Sequence, residues 1–544
     1  MVVIRENISD LKRRFGENAS NELTWFSGII GFSIDVTSDA IKIELNPDRP
    51  DLYSFSTMFD AIRTFKNPEN LSGIAMKPST VSLHVSDKAL KLRKYILCFW
   101  ANGSTLGDRF NEIIDYQEKL HQTMGKNRSK FAIGIHDLRN LKPPFRYISA
   151  GLNELSFTTY DEKITGTPED ILNGHELGKE FGHLIPDRDY VPLILDSDDN
   201  VLSMPPIVNG NASKISEMTS DIFVDITGND WPSTRSAYYL VANYLNSIGF
   251  KLHKAEQDGG YRKDLHTYND RKVLISRAEV EGVLGTRLTN TETSSALKRM
   301  GYVVEENPRG FSVFVKGSRI DVMGPVDVIE DIGKAYGYDN IASRKPQLST
   351  IGSTSKESEW KEDIRDLLVG FGLQEIQTFF LSPSVYYQGV NYYGDVEVIN
   401  PKSLDYSIPR DRLIFGMLDF FRLNKRRKLP QETFEIGKVV IHMGEKTHLC
   451  IGLTNSKTGF SEIKRIVDPF LSRLNIQRTD ITQTSYYGFI QGRTGSLSVG
   501  GKEIGLIGEI HPALLEKFEL VNPVAMAELD LDSIIQWLTK SQAL

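Results

Sequence analysis

Four carboxylates fall within eleven residues of this chain, around a Gly-Pro break that fixes where a helix begins. The stretch from residue 319 reads Arg-Ile-Asp-Val-Met-Gly-Pro-Val-Asp-Val-Ile-Glu-Asp-Ile. Pro325 suits the first position of a helix, because its backbone angle is already helical. From Asp327 onward the apolar residues recur at helical spacing, which predicts an amphipathic helix. The four acidic residues are Asp321, Asp327, Glu330 and Asp331.

The spacing of these carboxylates leaves two interpretations. Glu330 and Asp331 follow Asp327 by three and four places, so the three side chains share one helix face. Asp321 precedes the break and can fold back onto that face. Clustered oxygen ligands without histidine or cysteine suit Mg²⁺. Acidic residues in a first helical turn are also favoured by the helix dipole alone, so a stabilised helix start is the competing interpretation.

The composition is that of an ordinary globular chain without a basic excess. The 544 residues, 40% of them hydrophobic and 25% charged, are enough for about three to five domains. The formal net charge is −7, so any RNA contact must be local or shared with a partner. Cys98 and Cys450 have no metal-type spacing and favour a reducing cytoplasm. The sequence shows neither a signal peptide nor an apolar run of the ~20 residues that span a membrane.

The acidic stretch continues into a longer string, D-x5-D-x2-E-[DE]-I-x3-YGYDNI, over residues 321–341. This string is similar to a helix in the β subunit of phenylalanyl-tRNA synthetase. In that family the matching carboxylates hold magnesium near the contact with the α subunit. The resemblance therefore implies Mg²⁺ at Asp321, Asp327, Glu330 and Asp331, although many members have Glu at the last position. The string L-N-P-D-R-P-D-L at residues 45–52 resembles a second segment of the same subunits.

The chain is predicted to be an α+β multidomain protein with four parts. Residues 1–85 form an N-terminal α/β domain, and residues 86–260 resemble the family's editing domain. Residues 265–345 form a winged-helix-like module that carries the acidic cluster, with a helix capped by Ser276 and Glu279. Residues 355–544 resemble the non-catalytic class II synthetase-like domain with an antiparallel sheet, in which strands are predicted over 376–381 and 397–399.

The middle of the chain resembles the editing domain of archaeal and eukaryotic members, which hydrolyses tRNA mischarged with tyrosine. The resemblance rests on the strings at 131–138, 201–210 and 222–228. Asp225 and Thr227 alternate along one strand, so both can point into one cleft. Each polar residue alone also fits a turn or cap. Two alternatives stay open for the nucleophile, a side chain and an activated water. The candidates at or near strand ends are His136, Asp137, Asn209, Asp225 and Thr227.

Three motifs of other enzymes are missing from the sequence. His175 and His183 are eight residues apart rather than four, which excludes the helical zinc-protease pattern and favours a loop. Neither a P-loop nor the Gly-rich string that ends in the second arginine of class II synthetases occurs. The positive charges that would stabilise developing phosphate charge are therefore missing from their expected places. The last domain is predicted to have no aminoacylation chemistry of its own.

Two function classes follow. The resemblance implies an aminoacyl-tRNA synthetase subunit of archaeal or eukaryotic type, which is a ligase of protein biosynthesis. Such a subunit is expected in the cytoplasm, with no membrane among its partners. Its partners would be the α subunit, in an (αβ)₂ heterotetramer, and tRNA(Phe), with ATP and phenylalanine bound through the α subunit. The alternative is a stand-alone binding or regulatory protein on a relic synthetase fold. The retained acidic cluster favours the subunit.

Overall fold

The computed structural model describes residues 2–70, 76–260, 271–346, 350–476 and 478–542, and these fall into two compact units. The units are Met1–Lys345 and Pro346–Leu544. Both contain helices and several sheets, so the α+β multidomain class is confirmed in this general form. The predicted limits at residues 1, 265 and 544 lie outside the described residues.

The first unit begins with a small antiparallel sheet packed against helices, in the strand order β1-β3-β2. In β3 the side chains of Ile41, Ile43 and Leu45 are buried whereas Lys42 is exposed, as the alternating sequence predicts. The elements are β1 (Val2–Asn7), α1 (Ile8–Phe15), α2 (Ala19–Ile30), β2 (Ser33–Val36), β3 (Ala40–Leu45) and α3 (Phe55–Lys66).

A nine-stranded sheet forms the middle of this unit, in the order β12-β11-β10-β7-β4-β14-β5-β13-β6, and β8 pairs with β9 apart from it. Helix α8 packs against β5 and β13. The elements are β4 (Lys77–Val85), α4 (Asp87–Leu92), β5 (Tyr95–Asn102), α5 (Phe110–Gln122), β6 (Phe131–Asp137), β7 (Phe145–Gly151), β8 (Phe157–Thr158), β9 (Thr165–Gly166), α6 (Pro168–Gly174), α7 (Glu176–Phe181), β10 (Tyr190–Leu195), β11 (Val201–Met204), β12 (Val208–Asn209), β13 (Asp221–Gly228), α8 (Trp231–Ser247) and β14 (Lys251–Asp258).

Two predictions for this region are wrong. Strand β4 pairs with β14 and β7, so it belongs to the nine-stranded sheet and not to a domain 1–85. Its partners are distant in the sequence, and local patterns do not reveal such pairing. The stretch from His175 to His183 is not a loop, because it contains α7. The His175 side chain accepts a hydrogen bond from the Leu177 amide at 3.1 Å and caps this helix.

The segment with the acidic cluster closes the first unit. Its sheet has the order β15-β17-β16, and helices α9, α10 and α11 accompany it. The predicted capping box is confirmed, since the Glu279 amide donates to Ser276 and the Ser276 amide donates to the Glu279 carboxylate. Helix α11 begins at Pro325, as the Gly-Pro break predicts. The elements are β15 (Arg271–Ser276), α9 (Arg277–Leu284), α10 (Asn290–Arg299), β16 (Val303–Asn307), β17 (Gly310–Val315) and α11 (Pro325–Tyr336).

The second unit is built on a seven-stranded sheet in the order β18-β21-β22-β26-β25-β24-β23. It is antiparallel except for the edge pair β18 and β21. The elements are α12 (Lys356–Gly370), β18 (Gln374–Glu375), β19 (Leu381–Ser382), β20 (Ile408–Pro409), α13 (Ile414–Leu423), β21 (Gln431–Ile441), β22 (Gly444–Thr454), α14 (Phe460–Arg473), β23 (Asp480–Gln483), β24 (Phe489–Val499), β25 (Lys502–Ile510), α15 (Pro512–Lys517), β26 (Val524–Asp530) and α16 (Leu531–Gln542).

The strands predicted over 376–381 and 397–399 are wrong. Only residue 381 of these segments lies in a strand, the short β19. The prediction over 397–399 assumed that the apolar side chain of Ile399 is buried in a strand. Ile399 is instead 93% exposed. Elsewhere in this unit the apolar residues do mark the core. Helices α12, α14 and α16 pack on one hydrophobic cluster of the sheet, and α13 and α15 pack on another.

In the part of the chain that the structure describes, no helix combines the length and apolar character needed to cross a membrane.

Phe470→Ala should destabilise the second unit by about 3–5 kcal/mol, because Phe470 is fully buried in α14 and its removal leaves a cavity. Val521→Ala is the control, since Val521 is 96% exposed and surface changes stay within about 0.5 kcal/mol. Hydrogen exchange of peptides from β22 and β26 in increasing urea would measure this unit separately. Equal urea midpoints for Phe470→Ala and the unchanged chain would contradict the assigned core.

Candidate functional site

Strand β13 presents two different faces because its side chains alternate. Ile222, Val224 and Ile226 enter the hydrophobic core that includes α8. The opposite face therefore carries Phe223, Asp225 and Thr227. The shared face predicted for Asp225 and Thr227 is thus confirmed by the strand geometry.

The neighbouring strand β6 leaves room for these polar side chains. Residues 132 and 134, opposite Thr227 and Asp225 in the antiparallel register, are alanine and glycine. A Cβ atom at Gly134 would collide with the Asp225 carboxylate. The glycine in the middle of this strand is therefore required by the close approach of a side chain.

Asp225 is held from behind by a buried histidine. The His136 Nε2 atom lies 2.7 Å from Asp225 Oδ2, and His136 Nδ1 lies 2.8 Å from the Ser213 hydroxyl. All three residues are buried. The Ser213 hydroxyl also lies 2.9 Å from the carbonyl oxygen of Leu202, a residue of β11. This line of hydrogen bonds connects β6, β13 and β11.

A cavity of about 230 Å³ lies on this face of the sheet. Its walls are mainly apolar, and α5, the segment 203–209 and strands β6 and β13 contribute to them. Such a cavity with a few converging polar groups is typical of a small-molecule site. The polar and charged residues that line it include Glu118, His121, Arg128, Ser203, Asn209, Ser213, Asp225 and Thr227.

Several polar atoms at this cavity have no hydrogen-bond partner among the described residues. Arg128 Nε and the Ser203 hydroxyl are buried and unpaired in this sense. The Asn209 side chain makes no hydrogen bond to a described residue, and Asp225 bonds only through Oδ2. Buried polar groups are almost always satisfied by protein, water or ligand. The two buried atoms, Arg128 Nε and the Ser203 hydroxyl oxygen, therefore indicate a site for a polar ligand.

Arg128, Glu118 and His121 form a cluster that the sequence analysis missed. Arg128 Nη2 donates to Glu118 Oε1 at 3.0 Å, and His121 Nδ1 lies 3.1 Å from the same oxygen. Burial raises the pKa of Glu118, but the hydrogen bonds from His121 and Arg128 outweigh it and lower that pKa to about 2. His121 Nε2 accepts from the Ile133 amide, so its proton lies on Nδ1. The cluster therefore holds Glu118 as a carboxylate.

Arg128 of this cluster lies on a turn with unusual backbone angles. Lys126, Asn127 and Arg128 have positive φ values of 45°, 50° and 65°. Consecutive non-glycine residues with left-handed backbone conformation are uncommon and strained. Such strain is concentrated at functional sites. No pattern in the residue types of this turn predicts the conformation.

The five predicted residues are only partly brought together. Asn209, Asp225 and Thr227 line the cavity, and His136 lies behind Asp225. Asp137 does not join them. Its carboxylate accepts from Arg139 at 2.6 Å and from the Thr219 hydroxyl at 2.6 Å, and it therefore holds the chain beyond β6.

The acidic cluster of the first unit is organised around an arginine. Arg319 donates to both oxygens of Asp321, at 2.9 and 2.7 Å, and to Asp331 at 2.6 Å. The Tyr302 hydroxyl donates to Asp331 at 2.5 Å. Burial raises the pKa of Asp321, but Arg319 outweighs this effect and lowers it to about 2. Two of the four predicted ligands are thus already paired with a buried cation.

The other two carboxylates have different local partners. Asp327 accepts from the amides of Met323 and Gly324 at 2.7 and 2.8 Å, which stabilises the start of α11. Glu330 is paired with Lys334 at 2.9 Å on the surface. Over the described ranges, no group of three or more acidic, histidine or cysteine side chains is arranged to hold a metal ion. As arranged, the four residues do not fit one magnesium ion, and the predicted site stays a prediction.

The second unit also satisfies its buried charges internally. Arg410 is bonded to Glu435 at 2.7 Å, and Arg412 is bonded twice to Asp411 at 2.6 Å. Four aromatic rings surround the Arg412 guanidinium at 5.4–5.7 Å, those of Tyr387, Tyr393, Phe415 and Tyr486. Both buried arginines of this unit, as far as the structure describes it, are therefore engaged with neighbouring side chains.

Comparisons with known proteins agree along nearly the whole chain. Residues 341–531 match the family described as Phenylalanyl tRNA synthetase beta chain CLM domain, and residues 273–338 match the tRNA synthetase B5 domain. The chain also resembles the crystal structure of an N-terminal fragment of the phenylalanyl-tRNA synthetase β subunit from Pyrococcus horikoshii. That likeness has a TM-score of 0.57 and 28% identity, and it covers 62% of this chain and all of the fragment.

Two archaeal relatives extend the likeness to the full length. The phenylalanine–tRNA ligase β subunit of Thermoplasma volcanium is 40% identical over 538 residues, which cover 98% of this chain and 99% of the relative. The β subunit of Methanosarcina acetivorans is 32% identical over 550 aligned residues, with 98% and 99% coverage. This chain therefore belongs to the family of phenylalanine–tRNA ligase β subunits.

Proposed function

We propose that this β subunit supports ATP-dependent charging of tRNA(Phe) by an α subunit and adds an editing site of its own. Phenylalanine and ATP bind to the α subunit, and two copies of each chain form an (αβ)₂ heterotetramer in the cytoplasm. The internal pairing of Arg410 and Arg412 supports this division, because neither guanidinium is available to clamp a phosphate.

The domain assignments belong to the same proposal. Residues 355–544 carry a class II synthetase-like fold, which their mainly antiparallel sheet with helices on both faces supports. Residues 265–345 form a winged-helix-like module, which the three helices and three strands support. The editing domain comprises the nine-stranded sheet. It therefore begins with β4 (Lys77–Val85) and not at residue 86.

The observation that carries the editing function is the cavity between α5 and the face of β6 and β13. Its apolar walls suit an aromatic ring, and its unsatisfied polar atoms suit a hydroxyl on that ring. Asp225 Oδ1 accepts the phenolic proton, and the Asn209 amide donates to or accepts from the same group. Phenylalanine in this cavity would leave both groups unpaired, which disfavours its binding strongly.

The assembly should depend on the α subunit for activation of phenylalanine. This chain alone is expected to show no phenylalanine-dependent exchange of pyrophosphate into ATP, whereas the purified complex shows it. The reason is the internal pairing of the buried arginines in the second unit. Robust exchange by the chain alone would contradict the proposed division of labour.

Replacing Asp225 and Asn209 by alanine should lower the rate of tyrosyl-tRNA(Phe) deacylation by about 100-fold or more, because two polar partners of the phenol are lost. Charging with phenylalanine by the same complex should stay nearly unchanged. Asp189→Ala with Asn211→Ala is the matched control, since both residues are exposed in the same domain. Undiminished hydrolysis in the Asp225/Asn209 variant would remove these residues from the site.

Metal removal should leave the acidic cluster folded, because Arg319 already neutralises Asp321 and Asp331. We expect EDTA to leave the unfolding temperature of the complex unchanged. Arg319→Met should destabilise the first unit by about 3–5 kcal/mol, since it leaves buried carboxylates without a counter-charge. Arg309→Met is the exposed control.

The opposite result has a clear signature. If EDTA lowers the unfolding temperature, MgCl₂ restores it, and Asp327→Ala abolishes the response, then a resident magnesium ion holds the cluster. The magnesium prediction from the sequence would then be correct, and side chains of the cluster would have to exchange partners when the ion binds.

A further inference from the structure

Arg93 is a buried cation that lacks the usual compensation. Among the described residues, arginines 49, 93, 128, 319, 410 and 412 are buried. All except Arg93 lie within 3.0 Å of a carboxylate oxygen. Arg93 is 1% exposed and forms no ion pair with a described residue. Burying an uncompensated charge is strongly unfavourable, so its retention at this position requires an explanation.

The donors of Arg93 reach two residues that line the proposed editing cavity. Its Nε donates to the Thr227 hydroxyl at 3.0 Å, and its Nη2 donates to the Thr227 carbonyl oxygen at 3.1 Å. Nη2 also donates to the carbonyl oxygen of Arg128 at 3.0 Å. One guanidinium thus joins the end of β13 to the left-handed turn that places Arg128 in the cavity wall.

This arrangement decides how the Thr227 hydroxyl is used. A hydroxyl has one proton, and here its oxygen accepts the proton of Arg93, so its own proton remains to be donated. Burial lowers the pKa of Arg93 to about 10, which still leaves it charged at neutral pH, while Tyr147 and Asp225 act in the opposite direction. A positive charge therefore lies directly behind the cavity wall that Thr227 forms.

We infer that Arg93 is a positioning residue for hydrolysis of mischarged tRNA, an inference that rests on the proposed editing function. It fixes Thr227 as a hydrogen-bond donor to the ester carbonyl oxygen, and its charge favours the negative charge that develops there. In the reaction, water adds to the ester carbonyl carbon. The bond from that carbon to the ribose oxygen then breaks, and a proton of the water passes to this oxygen. The products are the free amino acid and uncharged tRNA.

The test uses the complete complex with tyrosyl-tRNA(Phe) as the probe. Arg93→Met should lower kcat for deacylation by about 10- to 100-fold, the size of effect seen when a reacting group is misplaced, and KM should change by less than about twofold. Arg93→Lys keeps the charge and should recover part of kcat. Arg188→Met, at an exposed position of the same domain, is the control and should match the unchanged complex.

A double variant tests whether Arg93 acts through Thr227. If it does, adding Arg93→Lys to Thr227→Val should cause no further loss of kcat, because the shared interaction is already removed. Additive losses, or a raised KM with unchanged kcat, would show a structural role and overturn the inference. The lysine and valine variants keep this test available if Arg93→Met does not fold.

The outcomes also separate the two proposals. If the unchanged complex does not hydrolyse tyrosyl-tRNA(Phe), the proposed editing function fails. If it hydrolyses this substrate and the Arg93 variants equal it in kcat, only the role of Arg93 fails.

Discussion

The candidate site depends on the absence of a side chain at Gly134, which leaves space for a neighbouring carboxylate. The Asp225 carboxylate occupies the space above this glycine, and a Cβ atom there would collide with it. Because Asp225 sits there, His136 can reach it at 2.7 Å and continue the hydrogen bonding to Ser213. The same contact fixes the relative positions of three strands around the cavity. A single backbone feature of β6 thus determines both the shape of the cavity and the orientation of its carboxylate.

Buried arginines are compensated differently at the cavity and in the second unit. Arg410 and Arg412 of the second unit lie 2.7 and 2.6 Å from carboxylate oxygens, so these two ion pairs are complete without a ligand. At the cavity, Arg128 Nε and the Ser203 hydroxyl lack partners among the described residues, and Arg93 lacks a carboxylate. The buried arginines of the second unit thus need no ligand, whereas Arg128 at the cavity leaves a polar atom that a bound polar group would satisfy.

Local sequence patterns predicted those parts of the structure that depend on neighbouring residues. The start of α11 at Pro325 and the shared face of Asp225 and Thr227 follow from helix capping and strand alternation. The partners of strand β4 did not follow, because pairing joins residues that are far apart in the chain. For the same reason Arg93 and Arg128 were missed, since their roles arise from contacts across the fold. The spacing of the carboxylates predicted a shared helix face. It did not predict that Arg319, which lies outside the helix, forms ion pairs with Asp321 and Asp331.

The physics of discrimination explains why such incomplete polar groups would be retained. A pocket shaped for phenylalanine can exclude a ring with one added hydroxyl by only about 10²-fold, because the apolar walls lose little. A pocket whose buried polar group requires that hydroxyl can discriminate by about 10⁴- to 10⁵-fold in the other direction. Asp225 lines the cavity and is fixed by His136 through Oδ2, so under the proposed editing function it would supply the second arrangement. A tyrosine hydroxyl would donate to this carboxylate, whereas phenylalanine would leave it without that hydrogen bond.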